Sequence, residues 1–182
     1  MRPVVFADLD DVLAIHQEHN SFQVLEAFKR AALDDVPSLW KYVFDASACT
    51  NLRTLHDEFV PEYVISSSWT SFLDRAQICE VLRRTGLEFV VENLHPDWCT
   101  PREEGSYRLT EIAGWLALHA LDPPLPHVIL DDLMSGQPLP GSHLEERAVL
   151  CDAWVGFTHP KLRSAQKILR DQLRTEREMR PR

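Results

Sequence analysis

The 182-residue chain contains no apolar run near the roughly 18 residues that would cross a bilayer. It also lacks the basic-then-apolar opening of a secretory leader. Both absences give the expectation of a cytoplasmic protein with no membrane contact. Its four cysteines, Cys49, Cys79, Cys99 and Cys151, include no Cys-x-x-Cys pair. Free buried thiols are therefore expected, with no cysteine zinc site. No Gly-x-x-x-x-Gly-Lys-Ser/Thr occurs, which excludes a P-loop kinase at motif level. There is no internal repeat and no low-complexity stretch. One local scarcity bears on the chemistry: no lysine lies between Lys41 and Lys161.

Hydrophobic residues make up 45% and charged residues 26%, enough apolar content for one domain with its own core over residues 1–182. The net charge of −9 argues against broad nucleic-acid affinity. That charge is uneven, since residues 161–182 carry eight Lys/Arg against three Asp/Glu and leave −14 on the remainder. Leu162, Ala165, Ile168, Leu169 and Leu173 recur at helical spacing there. A basic amphipathic helix over about residues 160–177 follows, its charged face in solvent.

Short apolar, β-prone segments punctuate the chain. Pro3–Asp8, Glu62–Ser66 and His127–Asp131 read as buried strands, the last set off by Pro123, Pro124 and Pro126. Ala148–Cys151 is a fourth, and Phe89-Val90-Val91 suggests another. Helical patterns run from Phe72 to Arg84, with Gly86 as a C-terminal cap, and from Tyr107 to Leu118. This alternation predicts an α/β, Rossmann-like, three-layer fold: a mainly parallel sheet with helices on both faces. Residues 14 to about 50 break the alternation. They read as a small helical insertion after the first strand, with Trp40, Tyr42, Val43 and Phe44 as its own core, placed as a cap over the site. His16 and His19 within it read as solvated.

In parallel sheets ligands sit at the C-terminal ends of the strands. Three such ends are polar here: Asp8-Leu9-Asp10-Asp11, Ser66-Ser67-Ser68 and Asp131-Asp132. Several carboxylates on one rim repel each other, and a divalent cation offsets that repulsion. Oxygen ligands without His or Cys favour Mg²⁺. A carboxylate at a strand tip can attack phosphorus, and a second one two residues on can protonate the leaving oxygen and then activate water.

Phe6-Ala7-Asp8-Leu9-Asp10-Asp11-Val12-Leu13 resembles the first motif of the haloacid-dehalogenase (HAD) superfamily, Asp-x-Asp-Gly-Thr/Val. Val64–Trp69 resembles its second motif and Val128–Asp132 its fourth, in the family's order, and together they frame about residues 3–158. Ser67-Ser68-Trp69, Arg108–Ile112 with Trp115-Leu116, and Val155-Gly156-Phe157-Thr158 resemble more narrowly the HAD domains of Swiss Army Knife RNA repair proteins. The resemblance implies a Mg²⁺-dependent phosphomonoesterase acting through an aspartyl-phosphate. Asp8 would be nucleophile and metal ligand. Asp10 would be acid/base, with its carbonyl on the metal. Ser67 would hold phosphate, with Ser66 and Ser68 as alternatives, and Asp131 and Asp132 would ligate Mg²⁺. The expected substrate is a phosphorylated small molecule, a nucleotide or a nucleic-acid end.

Two positions depart from the family pattern. Asp11 stands where the motif has Gly. The third-motif lysine is missing from its usual region, and Arg108, opening the helix before Asp131, is the best substitute, with Lys161 in reserve. These departures motivate an alternative, a non-catalytic HAD-fold binding or regulatory domain. A receiver-type phosphoacceptor fits less well, because it expects the acidic pair and the acceptor on different strands.

Overall fold

A computed structural model describes residues 2–103, 105–119 and 124–179. Five strands form one sheet: β1 (Val4–Ala7), β2 (Glu62–Ile65), β3 (Leu94–Cys99), β4 (His127–Asp132) and β5 (Ala148–Cys151). Every pairing is parallel and the order is β3-β2-β1-β4-β5. β1 thus lies at the centre, buried on both faces, and its side chains alternate between two apolar layers. Val5 and Ala7 face one layer, together with Leu52, Leu55, Ile78, Leu162 and Leu169. Val4 and Phe6 face the other, with Ile112, Trp115 and Ile129. That division is the period-two geometry of a strand expressed as a three-layer fold.

The helices are α1 (Ser21–Lys29), α2 (Pro37–Tyr42), α3 (Ala46–Phe59), α4 (Arg75–Arg84), α5 (Glu88–Glu92), α6 (Arg108–Leu118) and α7 (His159–Met179). Asp74 starts α4 with a reciprocal capping box to Gln77. Phe72 therefore precedes this helix. α7 buries Leu162, Ala165 and Leu169 against the sheet.

The segment Phe89-Val90-Val91 is helical, in α5, and not a strand. An apolar run this short fits either state, and its surroundings decide. Gly86, at φ +77°, turns the chain so that the Leu87 amide bonds back to Leu82 O at 2.8 Å. The chain then makes one short helical stretch that buries Phe89 and Val90. The strand beside β2 is the next segment, β3, where Pro96 on the edge accompanies a shift in register.

Residues 14–50 hold α1, α2 and the first turn of α3. Trp40, Val43 and Phe44 join the main core instead of forming a separate one, and Tyr42 is exposed. The Asp45 amide bonds to Leu13 O at 2.8 Å, so the excursion returns to the loop it left. Pro124 and Pro126 precede β4, whereas Pro123 lies outside the described residues. All four cysteines are free: Cys151 is buried and the others are partly buried. Burial pushes the Cys49 and Cys151 thiols up to about 12, so neither is a thiolate near neutral pH. No helix among the described residues is long and apolar enough to cross a membrane.

Candidate active site

β1, β2 and β4 are adjacent and parallel, so Asp8, Ser66-Ser67 and Asp131-Asp132 emerge side by side at one rim of the sheet. Asp8, Ser66, Ser67, Asp131 and Asp132 are all buried. Beyond β1 the chain closes a tight loop: Leu9 O accepts from the amides of Leu13 and Ala14, and Ala14 O accepts from Asp11 N–H. Asp11 sits in the left-handed region at φ 54°, where Gly is the usual choice and Asp is among the better-tolerated alternatives. Its carboxylate accepts the Trp154 amide at 2.8 Å, joining this loop to the loop after β5. The latter docks closely. Gly156 has φ +75°, and a Cβ there would lie 2.9 Å from Val12 O, the same oxygen that takes the Phe157 amide.

Arg108 is the first residue of α6, and its side chain turns inward. Nε donates to Asp131 Oδ2 at 2.6 Å, Nη2 to Asp8 Oδ2 at 3.2 Å, and Nη1 to Glu111 Oε2 at 3.1 Å and Ser66 Oγ at 3.3 Å. Its side chain retains only 5% exposure. Lys161 is engaged elsewhere, with Leu150 O at 2.5 Å and Asp152 at 3.4 Å. The structure therefore places Arg108, and not Lys161, against the carboxylates.

The serines separate by direction. Ser66 Oγ accepts from Arg108 and from Thr100 Oγ1. The Ser67 hydroxyl lies near enough to the Asp8 carboxyl to favour its ionised form. Ser68 Oγ donates to Asp10 Oδ2 at 3.3 Å. Asp131 Oδ1 accepts the Asp132 amide, and Asp132 Oδ1 accepts those of Met134 and Ser135. Gly136 approaches this pair so closely that a Cβ would meet Asp132 O at 2.7 Å.

Burial, and then the nearby Asp131, hold the Asp8 carboxyl well above the usual carboxylate range, against the opposing pull of Arg108. Asp131 is also raised, chiefly by burial, with Arg108 opposing. Asp10 is raised by burial, opposed by Trp69 and Ser68. The Trp69 indole N–H is buried and has no partner of full hydrogen-bond geometry among the described residues, yet it lies near enough to favour the ionised Asp10.

One oxygen each from Asp8, Asp131 and Asp132 can be chosen so that all three lie within 4.8 Å of one another. Glu111 adds a fourth buried carboxylate, against the buried guanidinium of Arg108 and, at 3.8 Å from Glu111, the partly exposed one of Arg102. A buried oxygen-only cluster with this excess of negative charge fits a hard divalent cation. Asp10 stands outside the group with its side chain.

Sequence reasoning did not single out Glu111 or Thr100. Glu111 lies three residues after Arg108, on the same helical face, and that spacing was the available signal. Thr100, just past β3, became visible only once β3 was placed.

A sheet with this order, carrying the Asp-x-Asp motif at its central strand tip, defines a Rossmann-like HAD fold. Residues 4–162 match the HAD domain in Swiss Army Knife RNA repair proteins, and the chain belongs to that family. Comparisons with curated proteins and with solved structures give no match. The family points to hydrolase chemistry of the phosphatase kind.

Proposed function

We propose that the protein is a Mg²⁺-dependent phosphomonoesterase that works through an aspartyl-phosphate on Asp8. The observation that carries this reading is the convergence of one buried guanidinium on the Asp8 and Asp131 carboxylates at the strand tips. Asp8, Asp131 and Asp132 would hold Mg²⁺, which when bound supplies charge neutralisation at the phosphoryl oxygens.

The chain's own residues account for the rest. An Asp8 carboxylate oxygen attacks phosphorus, and the bond from phosphorus to the leaving oxygen breaks. Asp10, whose proton is retained more readily because it is buried, gives that proton to the leaving oxygen. Water then attacks the aspartyl-phosphate and passes a proton to Asp10. The bond to Asp8 breaks, and inorganic phosphate leaves. Ser67 would orient a phosphoryl oxygen, and Arg108 would hold the carboxylates in place and offset charge on the transferring group.

The two departures that motivate a non-catalytic reading have structural counterparts. Asp11 adopts the left-handed turn that Gly would otherwise occupy. Arg108 supplies the cation. Both support the catalytic reading.

For the substrate we propose a nucleotide or a nucleic-acid end. A cavity of about 530 Å³ lies beside the Asp11 loop, lined by Ile15, His16, Gln17, Glu18, His19, Tyr42 and Trp154. Trp154 is 60% exposed, an unusual state for so large an apolar ring and one suited to stacking on a planar group. Residues 14–50 supply most of that wall and would act as the cap.

Hydrolysis of a generic aryl phosphate tests the activity, with Mg²⁺ and then with excess chelator. Turnover should require the ion and vanish in Asp8→Asn. Full activity in chelator, or in purified Asp8→Asn, would remove the mechanism.

A further inference from the structure

A second constellation of metal-ligating side chains lies away from the carboxylate rim. His95 and Asp97 are two apart on β3, an edge strand, in the stretch where its register shifts, and the Asp97 amide turns back to His95 Nδ1. His119 ends α6, the helix packed beside them. The three residues each offer a ligand atom within 4.8 Å of the others. α6 carries Arg108 at its start and His119 just past its end, a separation of about 16 Å along the helix axis. The site is therefore distinct from the Asp8 cluster.

The bonding of His119 points to a cation. Its Nδ1 lies 2.7 Å from Trp115 O, and its Nε2 lies 2.8 Å from Asp97 Oδ2. Both partners are acceptors. A neutral imidazole has one N–H, so one ring nitrogen would present a lone pair to an oxygen. Protonation of the ring resolves this, and so does a metal ion at Nε2. An Nδ1–H held by a backbone carbonyl, with Nε2 left to the ion, is the arrangement that orients metal-ligating histidines.

The surroundings are built to hold these groups. The Trp115 ring stacks on His119 at 3.8 Å and meets His95 edge-on at 4.9 Å. The Trp115 indole N–H donates to Asp97 O at 2.9 Å, which anchors the backbone at the second strand ligand. His95 Nδ1 accepts the Asp97 amide at 3.0 Å, a single bond that it would exchange for the ion. Asp97 retains 69% of its side-chain exposure, so the site opens to solvent.

We propose that His95, Asp97 and His119 bind a borderline transition dication, Zn²⁺ in the first instance, with water completing the shell. Two imidazoles and one carboxylate suit Zn²⁺, whereas Mg²⁺ prefers an all-oxygen set. The ion clips edge strand β3 to the end of α6. This site stands independently of the phosphatase reading.

The test is Zn²⁺ titration of the full chain by calorimetry, with Mg²⁺ in excess to saturate the carboxylate rim. One Zn²⁺ per chain is expected, with a rise in melting temperature. His119→Gln, His95→Gln and Asp97→Asn should each weaken binding roughly 10–100-fold or more. The exposure of Asp97 makes the last variant the safest for folding. Asp131→Asn should bind Zn²⁺ as wild type does. Equal binding by the His95→Gln/His119→Gln double variant would overturn the proposal. Failure of the wild type to take up Zn²⁺ would also overturn it, leaving His119 and Asp97 as an ion pair only.

Discussion

Arg108 Nε meets Asp131 Oδ2 at 2.6 Å, with both side chains almost wholly removed from water. A buried pair of this kind is costly to form and costlier to break on one side. Arg108→Ala leaves Asp8 and Asp131 buried without their cation, and Glu111 with only the more distant Arg102. A stability loss of about 3–5 kcal/mol is expected in denaturant melts without metal, together with severe loss of phosphatase turnover. Arg108→Lys should recover part of both, since charge returns without the planar fork. Wild-type stability and turnover in Arg108→Ala would dissociate the residue from the site.

Asp10 makes its side-chain bond to Ser68 and lies outside the metal-ligating group. Asp10→Asn should therefore bind Mg²⁺ with little change while turnover falls roughly 10²–10⁴-fold. The fall should be smaller for substrates whose leaving group needs no proton, such as an acidic phenol. A uniform few-fold loss across leaving groups would assign the proton transfer to another residue.

Asp8 and Asp131 hold protons more tightly in the folded chain than in the unfolded one. Their contribution to metal-free stability is present at low pH and is lost as pH rises from about 4 through the raised values. Mg²⁺ must displace those protons, so its stabilisation should grow with rising pH. The difference in melting temperature with and without Mg²⁺ should be small near pH 5 and large near pH 8. Taking that difference cancels groups remote from the ion, such as the buried His127, whose proton affinity burial lowers. A Mg²⁺ effect independent of pH would place the ion away from these carboxylates.

Asp11 joins two loops through the Trp154 amide. Asp11→Gly keeps the left-handed turn and removes that bond, so the fold should persist while the loop bearing Trp154 loosens. The expected result is a raised KM for a nucleoside phosphate, with little change for a small aryl phosphate. Trp154→Ala should show the same selectivity. Equal effects on both substrates would argue against a base-stacking role for this cavity.

Much of the molecule could be read before any coordinates. The apolar segments ending in Asp8, Ser66 and Asp131 lie in strands because runs of branched residues bounded by polar tips have few other places to go in a parallel sheet. The Asp-x-Asp motif and its companions marked the rim for the same reason. The sequence alone also showed a gap where a lysine was expected. Which cation fills it required the packing of α6 on the sheet, since Arg108 and Asp131 are 23 residues apart and only the helix's direction brings them together. The state of Phe89-Val90-Val91 depended on Gly86 reversing the chain just before it, a choice that the three-residue apolar run does not itself encode. The role of Asp11 depended on a partner 143 residues away. The meeting of His95, Asp97 and His119 likewise belongs to tertiary structure, because it depends on an edge strand and a helix end packing side by side. Local pattern determined the strands and the chemistry at their tips. Packing decided which distant side chains meet, because electrostatic energies depend on separations of a few ångströms that sequence spacing does not specify.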